Sequence, residues 1–284
     1  KNVVGKFFKP NHLVFMWCWC ITCPHCEQRI PLTNQMYIAK TPKKKIGIKI
    51  IPKDKDFTVE IISNISETEG KKFTQKEGLA ICISCKNSIN YETMTKEISK
   101  NKDREMIAIQ IQKNKGRDYI SPTQEDKELY QDAVKYFESI RKELEKENLI
   151  PDEKILATNR RESMLWHYNI KSWNQFFDER QLLVLALFLK NIKKVCDKID
   201  DKTYGGVIAL YLSAILSKRV DMSGFGVHWN TPRENPENVL ALRQPRIVYN
   251  FAESNPFEKS RGSLINITNN IVKGISFATR LQNQ

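Results

Sequence analysis

"WCWCITCPHC", residues 17–26, ends in a Cys-x-x-Cys pair, and "LAICISC", residues 79–85, ends in a second. Each pair follows an apolar run about one strand long, so Cys23 and Cys26, and likewise Cys82 and Cys85, are expected where a strand turns over. Two such knuckles supply four thiolates, the number that Zn²⁺ takes in a closed tetrahedral site. The pattern is that of a zinc ribbon with a long insertion between its knuckles. The competing reading of the same residues is a pair of redox-active or simply buried dithiols. His25 falls inside the first knuckle and reads as a solvated spacer. Cys18 and Cys20 share one face of the incoming strand and read as core, though either could substitute as a ligand. Cys196, alone on a helix, reads as a buried small hydrophobe. A four-thiolate site leaves no open coordination position, so its expected role is to hold the fold, not to catalyse.

Working outward, residues 13–119 carry short β-rich runs broken by turn residues. Alternation in Ile46, Ile48, Ile50 and in Phe57, Val59, Ile61 predicts strands with one buried face. Thr41–Lys45 and Ser66–Lys72 are polar and read as mobile hairpin tips. From Ser121 the texture becomes helical. Ser121-Pro122-Thr123-Gln124 reads as an N-cap with proline in the first turn, followed by Leu129, Ala133, Phe137, Ile140 and Leu144 at helical spacing. Asp178 with Gln181 opens a second helix, and Thr203 or Tyr204 a third. Both are apolar over most of their circumference and are expected to form a central hairpin. Residues after Asp221 read as irregular until a short helix around Leu264–Ile275. The predicted fold class is α+β: a zinc-ribbon-like antiparallel β module over residues 1–120, then a mainly α-helical module over residues 121–284.

Composition narrows the function. Hydrophobic residues are 40% and charged residues 28% of the 284, which excludes wholesale disorder. Forty-six Lys and Arg against 33 Asp and Glu give a formal charge of +13, pointing to a polyanionic partner, nucleic acid above all, or to a merely solubilising basic surface. Seven cysteines, an odd count with paired spacing, suit a reducing compartment and metal binding better than a disulfide framework. The apolar runs are too short to span a bilayer, so a cytoplasmic chain with no membrane partner is expected. The chain opens on Lys1, which points to a piece or a processed product.

No G-x-G-x-x-G follows a strand and no G-x-x-x-x-G-K-[ST] occurs, so no nucleotide or cofactor cradle is expected. Arg233, Arg243, Arg246 and Arg261, with His228, Trp229 and Tyr249, are suited to grip phosphates and stack on bases, and equally to serve as packing anchors. Lys43, Lys44, Lys45, Lys71 and Lys72 read as solvated tips able to touch a DNA backbone. Asn255-Pro256-Phe257 invites comparison with the Asn/Asp-Pro-Pro-Tyr/Phe loop of amino-methyltransferases. It lacks the second proline and reads as an Asx-Pro turn.

Taken in order, several segments resemble the adenine-specific DNA methylases that contain a zinc ribbon, a family of prokaryotic defence and restriction-modification neighbourhoods. "MWCWCITCPHCEQRIPL" is similar to that family's strand and C-P-x-C knuckle, and "ICISC" to its second knuckle. "KGRDYISPT" resembles its G-R-x-Y-x-x-P-T stretch. "YNIKSWNQFFDERQLLVLALFLKNI" resembles its R-Q-L-L helix, and "YLSAILSKRVDMSGFGVHWN" the segment after it. "RQPRIVYNFAESNPFEKSRGS" resembles its segment ending E-x-N-P-F, which places Asn255-Pro256-Phe257 outside the catalytic loop. The family's glycine-rich S-adenosylmethionine loop and its Pro-Pro-Tyr loop are both missing. Ser217–Asp221 stands where the family has D-R-x-A-D, and Ser223-Gly224-Phe225 replaces its N-S-x.

The resemblance implies the central part of such a methyltransferase, inactive alone. Zn²⁺ would sit on Cys23, Cys26, Cys82 and Cys85, with no catalytic or cofactor-binding residue on this chain. S-adenosylmethionine would be held only by missing segments or a partner chain that carry the catalytic core. Arg180, Gln181, Trp229, Arg243, Gln244, Asn255, Pro256 and Phe257 would lie at the join with that core or with DNA. The alternative is a stand-alone zinc-ribbon module that binds nucleic acid or protein and has no enzymatic role.

Overall fold

The computed structural model describes residues 3–158, 163–242 and 244–282. Along β1 (His12–Thr22) every residue from Leu13 to Ile21 is buried. The pleat sends Phe15, Trp17, Trp19 and Ile21 into one apolar cluster and Met16, Cys18 and Cys20 into another. Both faces are covered, which is why this stretch reads as a continuous apolar run and not as an alternation. Each such large side chain contributes about 1.5–3 kcal/mol by leaving water.

β1 runs into the first knuckle and β2 (Arg29–Pro31) leaves it. β3 (Tyr37–Thr41), β4 (Lys44–Lys53) and β5 (Asp56–Ser63) form an antiparallel meander, as their alternation predicted. One helical turn, α1 (Glu67–Gly70), precedes β6 (Gln75–Lys76) and β7 (Leu79–Ile81), and β7 enters the second knuckle, which β8 (Ser88–Ile89) leaves. α2 (Tyr91–Asn101), β9 (Arg104–Gln112) and β10 (Arg117–Ile120) follow. Then come α3 (Gln124–Lys146), α4 (Ser163–Trp166), α5 (Glu179–Asp197), α6 (Lys202–Asp221), β11 (His228–Asn230), β12 (Asn235–Glu237), β13 (Asn250–Ser254) and α7 (Leu264–Gln282).

The fold is α+β with antiparallel sheets. The largest sheet runs β10-β9-β1-β13-β11-β12, with β2 paired to the end of β1. Strands β11 to β13 come from residues expected to be irregular, yet they extend the sheet begun by β1 and β9, so that sheet is built from both sides of residue 120. One face of the β1 region carries α3 and α5, through Tyr130, Ala133, Phe137, Leu182 and Leu183. The other face carries the meander, through Tyr37, Ile38, Ile46, Ile48 and Phe57.

Several local expectations shift. α3 begins at Gln124, not at Pro122. Thr123 and Asp126 form a reciprocal capping box, while the Ser121 hydroxyl donates to the Val59 carbonyl. Ser66–Lys72 is not a hairpin tip but a capped turn, with the Ser66 hydroxyl accepting from the Glu69 amide. Gly70 lies flat against the Tyr37 ring, where an added Cβ would come within 2.2 Å of it.

α5 opens on the predicted Asp178–Gln181 box and buries residues 180–186, and it pairs with α6 as expected, but the α6 half of that hairpin lies outside the core. α6 contacts α5 and α7 and buries only Gly205, Ile215 and Arg219, because β1, β13, α3 and α5 already fill the core. Tyr204, Val207, Leu210 and Tyr211 of α6 stay exposed, Leu210 at 68%, as do Val272, Phe277 and Leu281 of α7. Cys196, expected to be buried, is half-buried. Among the described residues no helix is long and apolar enough to cross a membrane.

Candidate metal centre

The two knuckles are built alike. After Cys23 the chain turns so that the Cys23 amide donates to the Gln28 carbonyl at 2.8 Å and the Glu27 amide donates back to the Cys23 carbonyl at 2.9 Å. After Cys82 the Cys82 amide donates to Asn87 at 3.0 Å and the Lys86 amide to Cys82 at 3.2 Å. Glu27 and Lys86 hold matching positive φ values of 62° and 65°. Within each turn two amides aim at the first sulfur: His25 and Cys26 at Cys23 Sγ, Ser84 and Cys85 at Cys82 Sγ. Such N–H groups stabilise thiolate charge.

The turns face each other. Cys23 Sγ lies 3.7 Å from Cys85 Sγ and Cys26 Sγ lies 3.6 Å from Cys82 Sγ, and all four sulfurs lie within 4.8 Å of one another. These separations exclude disulfides, whose sulfurs sit about 2.05 Å apart. They match the edge of a tetrahedron about 3.8 Å on a side, which four sulfurs adopt around an ion at about 2.3 Å. The four cysteines can therefore hold a metal ion. Cys23 and Cys82 are fully buried, Cys26 is half-buried and Cys85 exposed, so the site lies just under the surface. His25 is exposed and outside the cluster, and Cys18 and Cys20 pack toward the meander, 4.0 Å from each other.

Burial pushes the Cys82 thiol up to about 12 and raises Cys23, whereas the Gln28 amide draws Cys26 down to about 7. At neutral pH the two buried thiols keep protons that an entering ion must displace. The bound state holds fewer protons than the free site, so affinity rises with pH, about tenfold per unit for each proton displaced. Chelator competition with Zn²⁺ at pH 6.5 and 7.5, corrected for the chelator, is expected to differ by at least about a hundredfold. A flat profile would contradict protonated free thiols.

The expected contact positions separate by burial. Arg180 is 1% exposed and forms a bidentate pair with Glu253, Nε to Oε1 at 2.8 Å and one terminal nitrogen to Oε2 at 2.6 Å. Its guanidinium lies 4.4 Å from the Phe15 ring centre and 4.6 Å from that of Phe8. Gln181, also 1% exposed, accepts from the Gly224 amide at 2.8 Å. Asn255, again 1% exposed, donates to the His12 carbonyl at 2.8 Å and accepts from the Phe257 amide at 3.0 Å, the Asx-Pro turn expected of it. Pro256 is buried, and Phe257 packs edge-on against Phe8 at 5.9 Å. Arg180, Gln181 and Asn255 are thus internal cross-links, not surface contacts, because their polar atoms are consumed by the fold. Trp229 and Gln244 are half-buried, with Trp229 Nε1 donating to the Ile38 carbonyl at 2.6 Å. Arg243 lies outside the described residues.

The glycines after α6 serve packing. Gly224, at φ 94°, abuts the Phe176 ring, and a Cβ on Gly226 would come within 2.7 Å of the Arg246 carbonyl. Of the four arginines near the end of the chain, Arg233 and Arg261 pair with Glu237. Arg246 instead lines one cavity with His228, Trp229 and Tyr249, a grouping that their scatter along the chain did not specify. No family model, no curated protein and no solved structure matches this chain.

Proposed function

We propose that this chain is the central, zinc-ribbon part of an adenine-specific DNA methyltransferase, with structural Zn²⁺ on Cys23, Cys26, Cys82 and Cys85. The observation that carries the reading is that the residues of the family-like segments bond to one another. Arg180 of the R-Q pair meets Glu253 of E-x-N-P-F, Gln181 meets Gly224, and Asn255 ties back to His12 at the head of the strand leading to the first knuckle. Segments scattered over more than two hundred residues are therefore the fastenings of one fold, which is what a family signature consists of. The catalytic halves would come from missing segments or a partner chain. The apolar faces of α6 and α7, exposed on a chain of charge +13, are surfaces such segments would cover. DNA would be held through its phosphates by Lys and Arg.

Two measurements test this. The purified chain should bind duplex DNA with an affinity that falls roughly a hundredfold between about 50 and 200 mM salt, the slope of about four phosphate contacts. Methyl-donor binding should appear only when a chain bearing the glycine-rich and Pro-Pro-Tyr loops is added. Tight S-adenosylmethionine binding by this chain alone, or salt-independent DNA binding, would overturn the reading. A stand-alone zinc-ribbon binding module shares the thiol cluster and the charge, but gains no methyl-donor binding from any partner.

A further inference from the structure

Between the large sheet and the meander lies a cavity of about 300 Å³. Its walls come from β1, β3, β4, β9, β11 and β13, together with the loop at Thr33–Gln35 and the approach to β13. Three features of the lining define what fits. The rings of Tyr37 and Trp229, which belong to the meander-side cluster, with the aliphatic side chains of Ile38, Ile48 and Ile107 beside them, suit a flat apolar body. Amides from Asn34 and Gln35 offer paired donors and acceptors, the groups that read heterocycle edges, while Asn250 donates to the Leu32 carbonyl at 3.0 Å. The charge is one-sided: among the described residues Arg246 lines the cavity and no carboxylate does.

The polar groups are also unsatisfied. His228 Nδ1 and Arg246 Nε are buried without a hydrogen-bond partner among the described residues, and Arg246 makes no ion pair there. Buried polar atoms are nearly always partnered by protein, water or ligand, and both of these residues line the same cavity. Burial holds His228 below its ordinary value, helped by the guanidinium groups of Arg246 and Arg261 against the pull of Glu237. The imidazole is therefore a neutral donor or acceptor, and Arg246 is the cation of the wall. Among the described residues, Arg233 and Arg261 spend their charge on Glu237, which leaves Arg246 for an anion. Volume limits the ligand: about 300 Å³ is the lower end of small-molecule sites, enough for one base on its sugar phosphate and too little for a dinucleotide.

We infer that this cavity binds a single nucleotide, its base against the rings of Trp229 and Tyr37 and its phosphate on Arg246. The source is either a free mononucleotide or one unstacked residue of a nucleic-acid strand; the second would deepen the methyltransferase reading and rests on it, whereas the first does not.

The test uses the full chain, wild type and Arg246→Gln, with Gln35→Ala as a second variant at the partly exposed rim. Calorimetry with dAMP, deoxyadenosine and inorganic phosphate reads the free nucleotide. Fluorescence of a single-stranded oligonucleotide carrying one 2-aminopurine reads the strand. The cavity binds a nucleotide if dAMP, or the oligonucleotide with a change in 2-aminopurine emission, binds wild type and loses at least about tenfold with Arg246→Gln at unchanged melting temperature. Binding of dAMP alone assigns the free nucleotide, and response of the oligonucleotide alone assigns the strand. Gln35→Ala is expected to weaken the same ligand by a few-fold and keeps the test valid should Arg246→Gln fail to fold. The inference falls if neither ligand binds, if neither variant weakens binding, or if inorganic phosphate binds as well as dAMP. Salt-dependent duplex binding is read separately. Its survival after loss of nucleotide binding sinks the cavity alone, and its absence beside dAMP binding sinks the methyltransferase reading alone.

Discussion

Elemental analysis of the purified chain is expected to return one zinc per molecule, and Cys82→Ser to abolish it, with a loss of at least about 3 kcal/mol in stability, or about 10 °C in melting temperature. The size follows from what the ion joins. Cys23 and Cys26 close the end of β1, the strand at the centre of the largest sheet, while Cys82 and Cys85 close a three-stranded sheet some sixty residues on. Structural zinc contributes about 10–16 kcal/mol where the apo peptide is unfolded. Here each turn already has its own backbone bonds and β1 is held by β9 and β13, so only part of that free energy is at stake. Hydrogen exchange should localise the damage: Ala80 and Ile89 lose protection, while β1, β9 and β13 keep most of theirs. Cys196→Ser, outside the cluster, serves as the control and should change neither metal content nor melting. A Cys82→Ser protein with a full equivalent of zinc, or with the wild-type melting temperature, would rule out the four-thiol site.

The metal cluster was legible because the chemistry of a knuckle is local: two cysteines at fixed spacing after a strand admit few structures. The start of α5 was legible for the same reason, since Asp178 and Gln181 satisfy each other's backbone within one turn. β11 to β13 were not. They are three to five residues long, and β13 buries Glu253 and Ser254, residues that read as surface. Their burial follows from partners far along the chain, Arg180 for Glu253 and Arg219 for the Ser254 carbonyl, which periodicity cannot reveal. α2 escaped notice in a β-rich stretch, although Asn90 caps it. The exposed face of α6 misled in the opposite direction: a charge-free run from Thr203 to Ser217 reads as core, and only the competition of other elements for the core decides otherwise. The cavity beside β11 joins Tyr37 to Tyr249 and had no sequence signal beyond the nearby arginines and aromatics.

Glu253→Gln is expected to cost about 3–5 kcal/mol, because it strands the Arg180 guanidinium in the core without its counter-charge. Both side chains are 1% exposed, and among the described residues the other donor to the carboxylate is Trp17 Nε1, at 3.1 Å, which glutamine can still satisfy. Removing charge from both partners tests the cause. Arg180→Met together with Glu253→Gln removes both members of this pair and fills most of the volume, while the buried Arg219 keeps its carbonyl partners, so the double variant should recover part of the loss in urea unfolding. A pH signature accompanies it. Asp178, fully enclosed at the start of α5, is pushed up to about 7, by burial first and then by the Glu253 charge. The folded chain thus holds a proton that the unfolded chain releases near its ordinary value of about 4, so this group's contribution to stability falls as pH rises from about 4 to 7. Glu253→Gln deletes the second cause, and that downward slope should flatten in the variant relative to wild type. A single variant within about 1 kcal/mol of wild type, or a double variant no more stable than the single, would mean that the pair is a passenger in the core rather than the clamp between α5 and β13.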